Sequence, residues 1–228
     1  MINEKQLKGV VEPFGLPFGS LPKNIPIFPL SGALLLPHGR MPLNIFEDRY
    51  VKMVMDSIRE SRLIGMVQPS EEIKDAGTNE ATLFHIGCLG RIISFSEMDD
   101  GRIFITLQGV ARFKIKNELE NQFPYRSIRA QYEDFKDDYD PYKAVKGRNI
   151  LTNVLENYLE EKKVALEWKE LAKTKDRRLI ASIGMMLPFG NTEKQAILES
   201  VNFDQMVDII NSLIEMELAT GESVATKH

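Results

Sequence analysis

The sequence contains few of the residues that build disulfides and metal centres. Its 228 residues include one cysteine, Cys88, and three histidines. A lone cysteine excludes an intrachain disulfide and is typical of a protein from a reducing compartment. His85 and Cys88 are spaced like metal ligands, but a zinc site needs further nitrogen or sulfur ligands and no second pair is present. The sequence therefore predicts neither a metal site nor a cofactor.

Long apolar runs and a strong charge imbalance are also missing. Residues 1–11 lack the apolar segment of a signal peptide, and runs such as 33–37 are far shorter than the roughly 20 residues that cross a bilayer. Lysine and arginine number 29 against 33 acidic residues, a formal net charge of −4. We expect a cytoplasmic protein without a membrane partner, and this charge also opposes nucleic acid as the main partner.

Catalytic signatures are absent as well. The sequence has no Walker-type phosphate loop, no G-x-S-x-G nucleophile elbow and no H-E-x-x-H metal motif. Gly87 and Gly90 match the G-x-x-G pattern of RNA-binding KH modules, but their apolar surroundings favour close backbone packing. A buried thiol at Cys88 and a structural His85 are the simplest interpretation, and a hydrolase that uses either residue is a third, weaker hypothesis. We predict no catalytic residues.

The first 24 residues have the composition of an arm. Prolines and glycines at this density prevent a regular helix or strand, and Phe14 and Phe18 supply apolar side chains. One interpretation is a flexible leader. The other is an arm whose aromatic residues dock onto a groove of this chain or of a second copy, which would give weak self-association.

Residues 25–135 are predicted to form a β-rich subdomain with one early helix. Alternating apolar residues and turn signals predict short strands, and apolar residues at spacing four predict a helix over 47–62. The Asp-Gly pair at 100–101 predicts a hairpin turn. The predicted strands cover residues 25–30, 41–46, 63–68, 84–95, 102–108, 110–116 and 125–132.

A basic stripe follows this hairpin. Arg112, Lys114 and Lys116 share one face of a predicted strand, for which a solvated outer face is the simplest interpretation. An acidic partner surface or an RNA backbone are the functional alternatives. Val110 is out of phase with the residues that follow, which predicts a β-bulge near Ala111.

The acidic stretch 133–141 is predicted to be a linker, and the chain beyond it is helical. Apolar residues at helical spacing predict a helical bundle over 136–219, with a capping box formed by Thr192 and Gln195. Residues 220–228 are predicted to be a flexible tail. Strands that precede helices in this way indicate an α+β fold.

Several segments together resemble the LON substrate-binding domain, the N-terminal domain of the ATP-dependent protease Lon. The specific block is PIFPL (26–30), LLLP (34–37) and MPLNIFEDRY (41–50). The resemblance continues in IGCLGRI (86–92), DGR (100–102), GVARFKI (109–115), PY (124–125) and, less specifically, in LPF (187–189), EKQ (193–195) and LE (198–199).

The resemblance implies a PUA-like pseudo-barrel followed by a helical bundle, and a role in recognising proteins. In full-length Lon this domain precedes an ATPase and a serine–lysine protease domain, whose motifs are absent here. We expect a non-enzymatic protein that recognises polypeptide segments or a partner protein, linked to quality control or proteolysis. An apolar groove between barrel and bundle, rimmed by residues 31–40 and 71–79, would be the site.

Six residues are candidate contacts for such a partner. RNA binding is the alternative function, with phosphate contacts from Arg91, Arg102, Arg112, Lys114 and Lys116. The candidate partner-binding residues are Phe14, Phe18, His38, Arg40, Arg112 and Lys114.

Overall fold

The structure, a computed structural model, describes residues 18–70, 81–120, 122–139, 144–163 and 174–225. Phe14 and the predicted arm up to residue 17 lie outside these ranges, as do the predicted rim loop 71–79 and the last three residues. The described chain begins with a short 3₁₀ helix, Phe18–Ser20.

Six strands form one sheet that closes on itself. The order is β2-β5-β4-β3-β1-β6, and β6 pairs a second time with β5, which closes a barrel and leaves β2 at an edge. Among the pairings of these described strands, β1–β3 is parallel and the others are antiparallel. The strands are β1 (Asn24–Pro29), β2 (Arg40–Ile45), β3 (Leu63–Val67), β4 (Ile86–Glu97), β5 (Ile103–Leu119) and β6 (Ser127–Gln131).

The length of β5 makes this closure possible. Its first part pairs with β2 and its last part with β6. The two strands predicted over 102–108 and 110–116 are thus one strand, a correction to the sequence-based prediction. The predicted bulge is confirmed: Leu89 pairs with Ala111 while Gly90 pairs with Gly109, so Val110 is the extra residue. The bulge bends β5, so that one continuous strand pairs with both β2 and β6.

Five helices complete the described fold. The predicted early helix is present as α1, which buries Tyr50, Met53 and Val54 on one face. The predicted capping box is misplaced, because Gly190 precedes the fourth helix and donates its N–H to the Glu193 carboxylate. The helices are α1 (Asp48–Arg59), α2 (Arg148–Glu161), α3 (Asp176–Met186), α4 (Asn191–Leu198) and α5 (Phe203–Ala225).

Two apolar cores lie on opposite faces of the sheet. In β3, Leu63 and Val67 belong to the cluster inside the barrel, whereas Ile64 and Met66 belong to a second cluster. The second cluster also contains α1 and the C-terminal helices. Because a strand alternates its side chains, the outer barrel wall serves as the floor on which the helices pack.

The predicted linker is wrong for residues 133–139. Glu133–Tyr139 forms a 3₁₀ helix that buries Phe135 and Asp138. Its acidic composition suggested solvent exposure, but a basic side chain within the fold neutralises Asp138, as described below. The α+β class and the order of barrel and helices are confirmed. The predicted boundaries at 24, 135 and 219 stay predictions.

Among the described residues, no helix combines the length and apolar character that crossing a bilayer requires.

Candidate functional site

A groove of about 420 Å³ lies where the barrel meets α3. Its volume is within the range of sites that hold small molecules or side chains of a partner. One wall is the loop that leads into β2, together with the start of that strand, and the other is a face of α3. The lining residues are Gly32, Ala33, Leu34, His38, Arg40, Met41, Pro42, Arg178, Ser182, Met185 and Met186.

The loop wall is fixed to β5 by Gly109. The N–H of His38 donates to the carbonyl of Gly109 at 2.9 Å, and the N–H of Gly109 donates to the carbonyl of Gly39 at 2.9 Å. A Cβ at position 109 would overlap the carbonyl of Leu36, so only glycine allows this approach. The turn also places His38 at φ 67°, a left-handed conformation.

The helix wall rests on the same loop. Gly184 lies where a Cβ would be 3.1 Å from Leu36 and from Ile210, so α3 packs closely on both. Beside this contact Met185 is half-buried against Gly39, while Met186 is 56% exposed. Thioether side chains are flexible and polarisable, so they adapt to differently shaped apolar groups.

Hydrogen bonds from α4 hold the beginning of the loop in place. Asn191 Nδ2 donates to Ser31 Oγ at 2.9 Å, and Lys194 Nζ donates to the carbonyl of Gly32 at 2.9 Å. His38 Nε2 lies 3.1 Å from the carbonyl oxygen of Asp138 and donates to it. The groove walls are therefore tied to three different elements before any partner binds.

The basic stripe is only partly exposed. Arg112 is buried, so it cannot be the surface contact that the sequence suggested. Its side chain is 0% exposed and pairs with Asp138, also 0% exposed, at 2.8 Å. Arg112 Nη1 also donates to the carbonyls of Leu198 and Ser200. The 3₁₀ helix and the turn after α4 cover Arg112. Lys114 is exposed beyond this cover and does not line the groove.

The structure brings two of the six candidate contact residues together in the groove, His38 and Arg40. Phe14 lies outside the described residues, as does the side chain of Phe18. The sequence-based prediction missed Arg178, Met185 and Met186. They lie beside the apolar stripe that predicted α3. The signal available in the sequence was the side of the helix that this apolar stripe does not occupy.

Cys88 does not have the surroundings of a nucleophile. It is fully buried in β4, its thiol lies 3.7 Å from the carbonyl of Leu89, and burial raises its pKa. His85 is exposed. A Cβ at Gly87 would lie 2.6 Å from the Phe113 ring, so the G-x-x-G segment reflects close packing. Within the described residues, no group of three or more histidine, cysteine or acidic side chains is arranged to hold a metal.

The family model of the ATP-dependent protease La (LON) substrate-binding domain matches residues 24–216. The chain belongs to the LON substrate-binding domain family. The resemblance noted in the sequence is thereby confirmed.

Curated relatives of this LON-domain chain are Lon proteases. The Lon protease of Anaeromyxobacter dehalogenans is 26% identical over 199 residues, which are 85% of this chain and 23% of the relative. The Lon protease of Flavobacterium johnsoniae is 32% identical over 123 residues, which are 53% of this chain and 15% of the relative. The chain thus spans about a quarter or less of these relatives.

Solved structures show the same LON-domain fold. The Lon N-terminal domain protein from Xanthomonas campestris superposes with a TM-score of 0.59 at 19% identity, covering 81% of this chain and 95% of that chain. The N-terminal domain of the Mycobacterium avium complex Lon protease has a TM-score of 0.61 at 13% identity, covering 85% and 98%.

Proposed function

We propose that this chain recognises polypeptide segments in the groove between the loop 32–42 and α3. Its proposed role in proteolysis is to bind these segments and not to cleave them. Membership in a family of protease substrate-binding domains supports a polypeptide partner. The observation that carries the choice of site is the groove itself, where Met185 and Met186 offer apolar surface beside cationic side chains.

Side chains, more than backbone pairing, would dominate this recognition. Strand β2 is at the sheet edge and lines the groove, so an extended peptide could in principle add to it. Pro42 has no N–H to donate, however, which breaks the row of donors that strand addition requires. Adaptable methionines and fixed charges then decide which segments bind.

RNA binding has less support as the alternative. Arg112 is enclosed, and Arg102 is paired with Asp100 at 2.6 Å. Two of the five proposed phosphate contacts are thus engaged within the chain, and the formal net charge of −4 opposes approach to RNA.

The proposal is tested by fluorescence anisotropy with short labelled peptides derived from casein. Met186→Gln keeps the side-chain length but removes apolar contact, and we expect about tenfold weaker binding. Ile150→Gln is the matched control, because Ile150 is 60% exposed on α2 and is not one of the groove-lining residues.

Unchanged affinity is the expected result for the control. Absence of binding by every peptide, or an equal effect of both substitutions, would contradict the proposed site.

A further inference from the structure

The groove lining carries positive charge, and none of its described residues supplies a counter-charge, in a chain that is acidic overall. Arg40 and Arg178 line it and are exposed. Neither guanidinium forms an ion pair with any residue that the structure describes. The lining residues include no aspartate and no glutamate. An anionic group of a partner would therefore meet two cations with no competing acid among the lining residues that the structure describes.

Asp138, the one buried acid among the described residues, cannot supply this counter-charge. Asp138, whose carbonyl accepts from His38, has both carboxylate oxygens occupied by Arg112. Its Oδ2 accepts from the Arg112 backbone N–H at 2.9 Å and from Nε at 3.0 Å, and its Oδ1 accepts from Nη2 at 2.8 Å. The buried pair is closed, so the groove keeps its positive charge.

The spacing of charge and apolar surface defines a pattern. Arg178, Ser182 and Met185 follow one another at intervals of four and three residues, so they share a face of α3. The seven steps from Arg178 to Met185 rise about 10 Å along the helix. In an extended peptide, side chains two positions apart are separated by about 7 Å and those four positions apart by about 13 Å, and both spacings keep the side chains on one face.

Resting on the function proposed above, we propose that the groove selects extended segments with an acidic side chain two or four positions from an apolar one, the spacings that place both side chains on the same face. The guanidiniums of Arg40 and Arg178 hold the aspartate or glutamate carboxylate, with charge-assisted hydrogen bonds. Met185 and Met186 hold the apolar side chain. The occupant is an internal segment of a separate polypeptide.

The test compares two blocked peptides that differ only by Glu→Gln at the acidic position, each with an acetylated N-terminus and an amidated C-terminus. We expect the glutamate peptide to bind about fivefold more tightly at low salt, and the difference to shrink as salt screens the exposed charges. The double variant Arg40→Gln/Arg178→Gln should bind both peptides equally. Lys114→Gln/Lys116→Gln removes the same charge from β5 and should preserve the preference.

Three other outcomes would each overturn the proposal in a different way. If Met186→Gln weakens binding while both peptides bind the parent chain equally, the proposed function stands and the acidic preference is overturned. If the glutamine peptide regains affinity with a free C-terminus, the groove recognises a terminal carboxylate, which overturns the internal-segment assignment. A large gain in affinity on removing residues 1–17 would show that the chain's own segment occupies the groove, which also overturns it.

Discussion

Arg112 and Asp138 form an ion pair in which neither side chain is exposed to solvent, with Nη2 and Oδ1 2.8 Å apart. The pair joins β5 to the 3₁₀ helix 133–139. Arg112 also donates hydrogen bonds to the carbonyls of Leu198 and Ser200, which precede α5 in the chain. The guanidinium also stacks on Phe135 at 4.5 Å. One side chain therefore connects barrel, 3₁₀ helix and bundle.

Asp138→Asn should strongly destabilise the fold. It leaves the Arg112 guanidinium buried without a counter-charge, and breaking a buried pair from one side costs about 3–5 kcal/mol. Urea denaturation would measure the free energy of unfolding. Asp100→Asn is the matched control, since the Asp100–Arg102 pair is about half exposed and its loss should leave the midpoint nearly unchanged. Equal midpoints for both variants would contradict the connecting role of Arg112.

Gly109→Ala should disturb both stability and the groove. The added methyl group overlaps the carbonyl of Leu36, so the loop 36–39 must move away from β5, at a cost of about 1–3 kcal/mol. Peptide affinity should fall with it, because His38 and Arg40 move with the loop. Gly19→Ala meets no atom within 4 Å and serves as the control for thermal unfolding and anisotropy. Native stability in Gly109→Ala would show that the close approach is not required.

Cys88 should be unreactive in the folded protein. The thiol is fully buried and burial raises its pKa, so little thiolate is available to a reagent. Treatment with an aromatic disulfide reagent should modify it only after denaturant is added. Rapid modification under native conditions would contradict this burial and would revive the hypothesis of a reactive cysteine.

Alkaline pH should destabilise the fold through Tyr158. Burial and its hydrogen bond to Glu217 at 3.1 Å raise the pKa of Tyr158 to about 12, from a usual value of 10.0. Below pH 10 the phenol is protonated in both states and the stabilisation is complete. Between pH 10 and 12 the unfolded chain ionises first, so the free energy of unfolding falls.

Tyr158→Phe should remove part of that pH dependence. Urea titrations at successive pH values would show a shallower decline above pH 10 for the variant, although its stability at neutral pH is lower because the hydrogen bond is lost. Tyr125, Tyr132 and Tyr139 also have raised pKa values and keep part of the slope. An identical slope in both proteins would contradict the assignment.

Local patterns in the sequence predicted most of the elements. Strand alternation and helical spacing depend on neighbouring residues, so β3, β6 and α1 were placed within a few residues. The bulge in β5 was predicted because one out-of-phase residue, Val110, is visible locally. The burial of Arg112 was not predicted, because the groups that cover its side chain lie 26 and 86 residues further along the chain.

The groove shows the same division. Turn residues indicated the loop with His38 and Arg40, whereas the facing side of α3 depends on how two distant elements pack. The periodicity of α3 identified the side that faces the core but not what the other side meets. The placement of Met185 and Met186 in the groove therefore depends on the close packing of the helix against the loop at Gly39 and Gly184, which the sequence alone does not show.

The most direct measurement is photo-crosslinking with a bound peptide whose apolar residue is replaced by benzoylphenylalanine, followed by mass-spectrometric mapping. We expect cross-links to Met185 or Met186 and to the loop 32–42, and their loss when unlabelled peptide competes. Cross-links concentrated instead on exposed apolar residues of the β4–β5 hairpin, such as Phe95 and Phe104, or around Lys114, would contradict recognition in this groove.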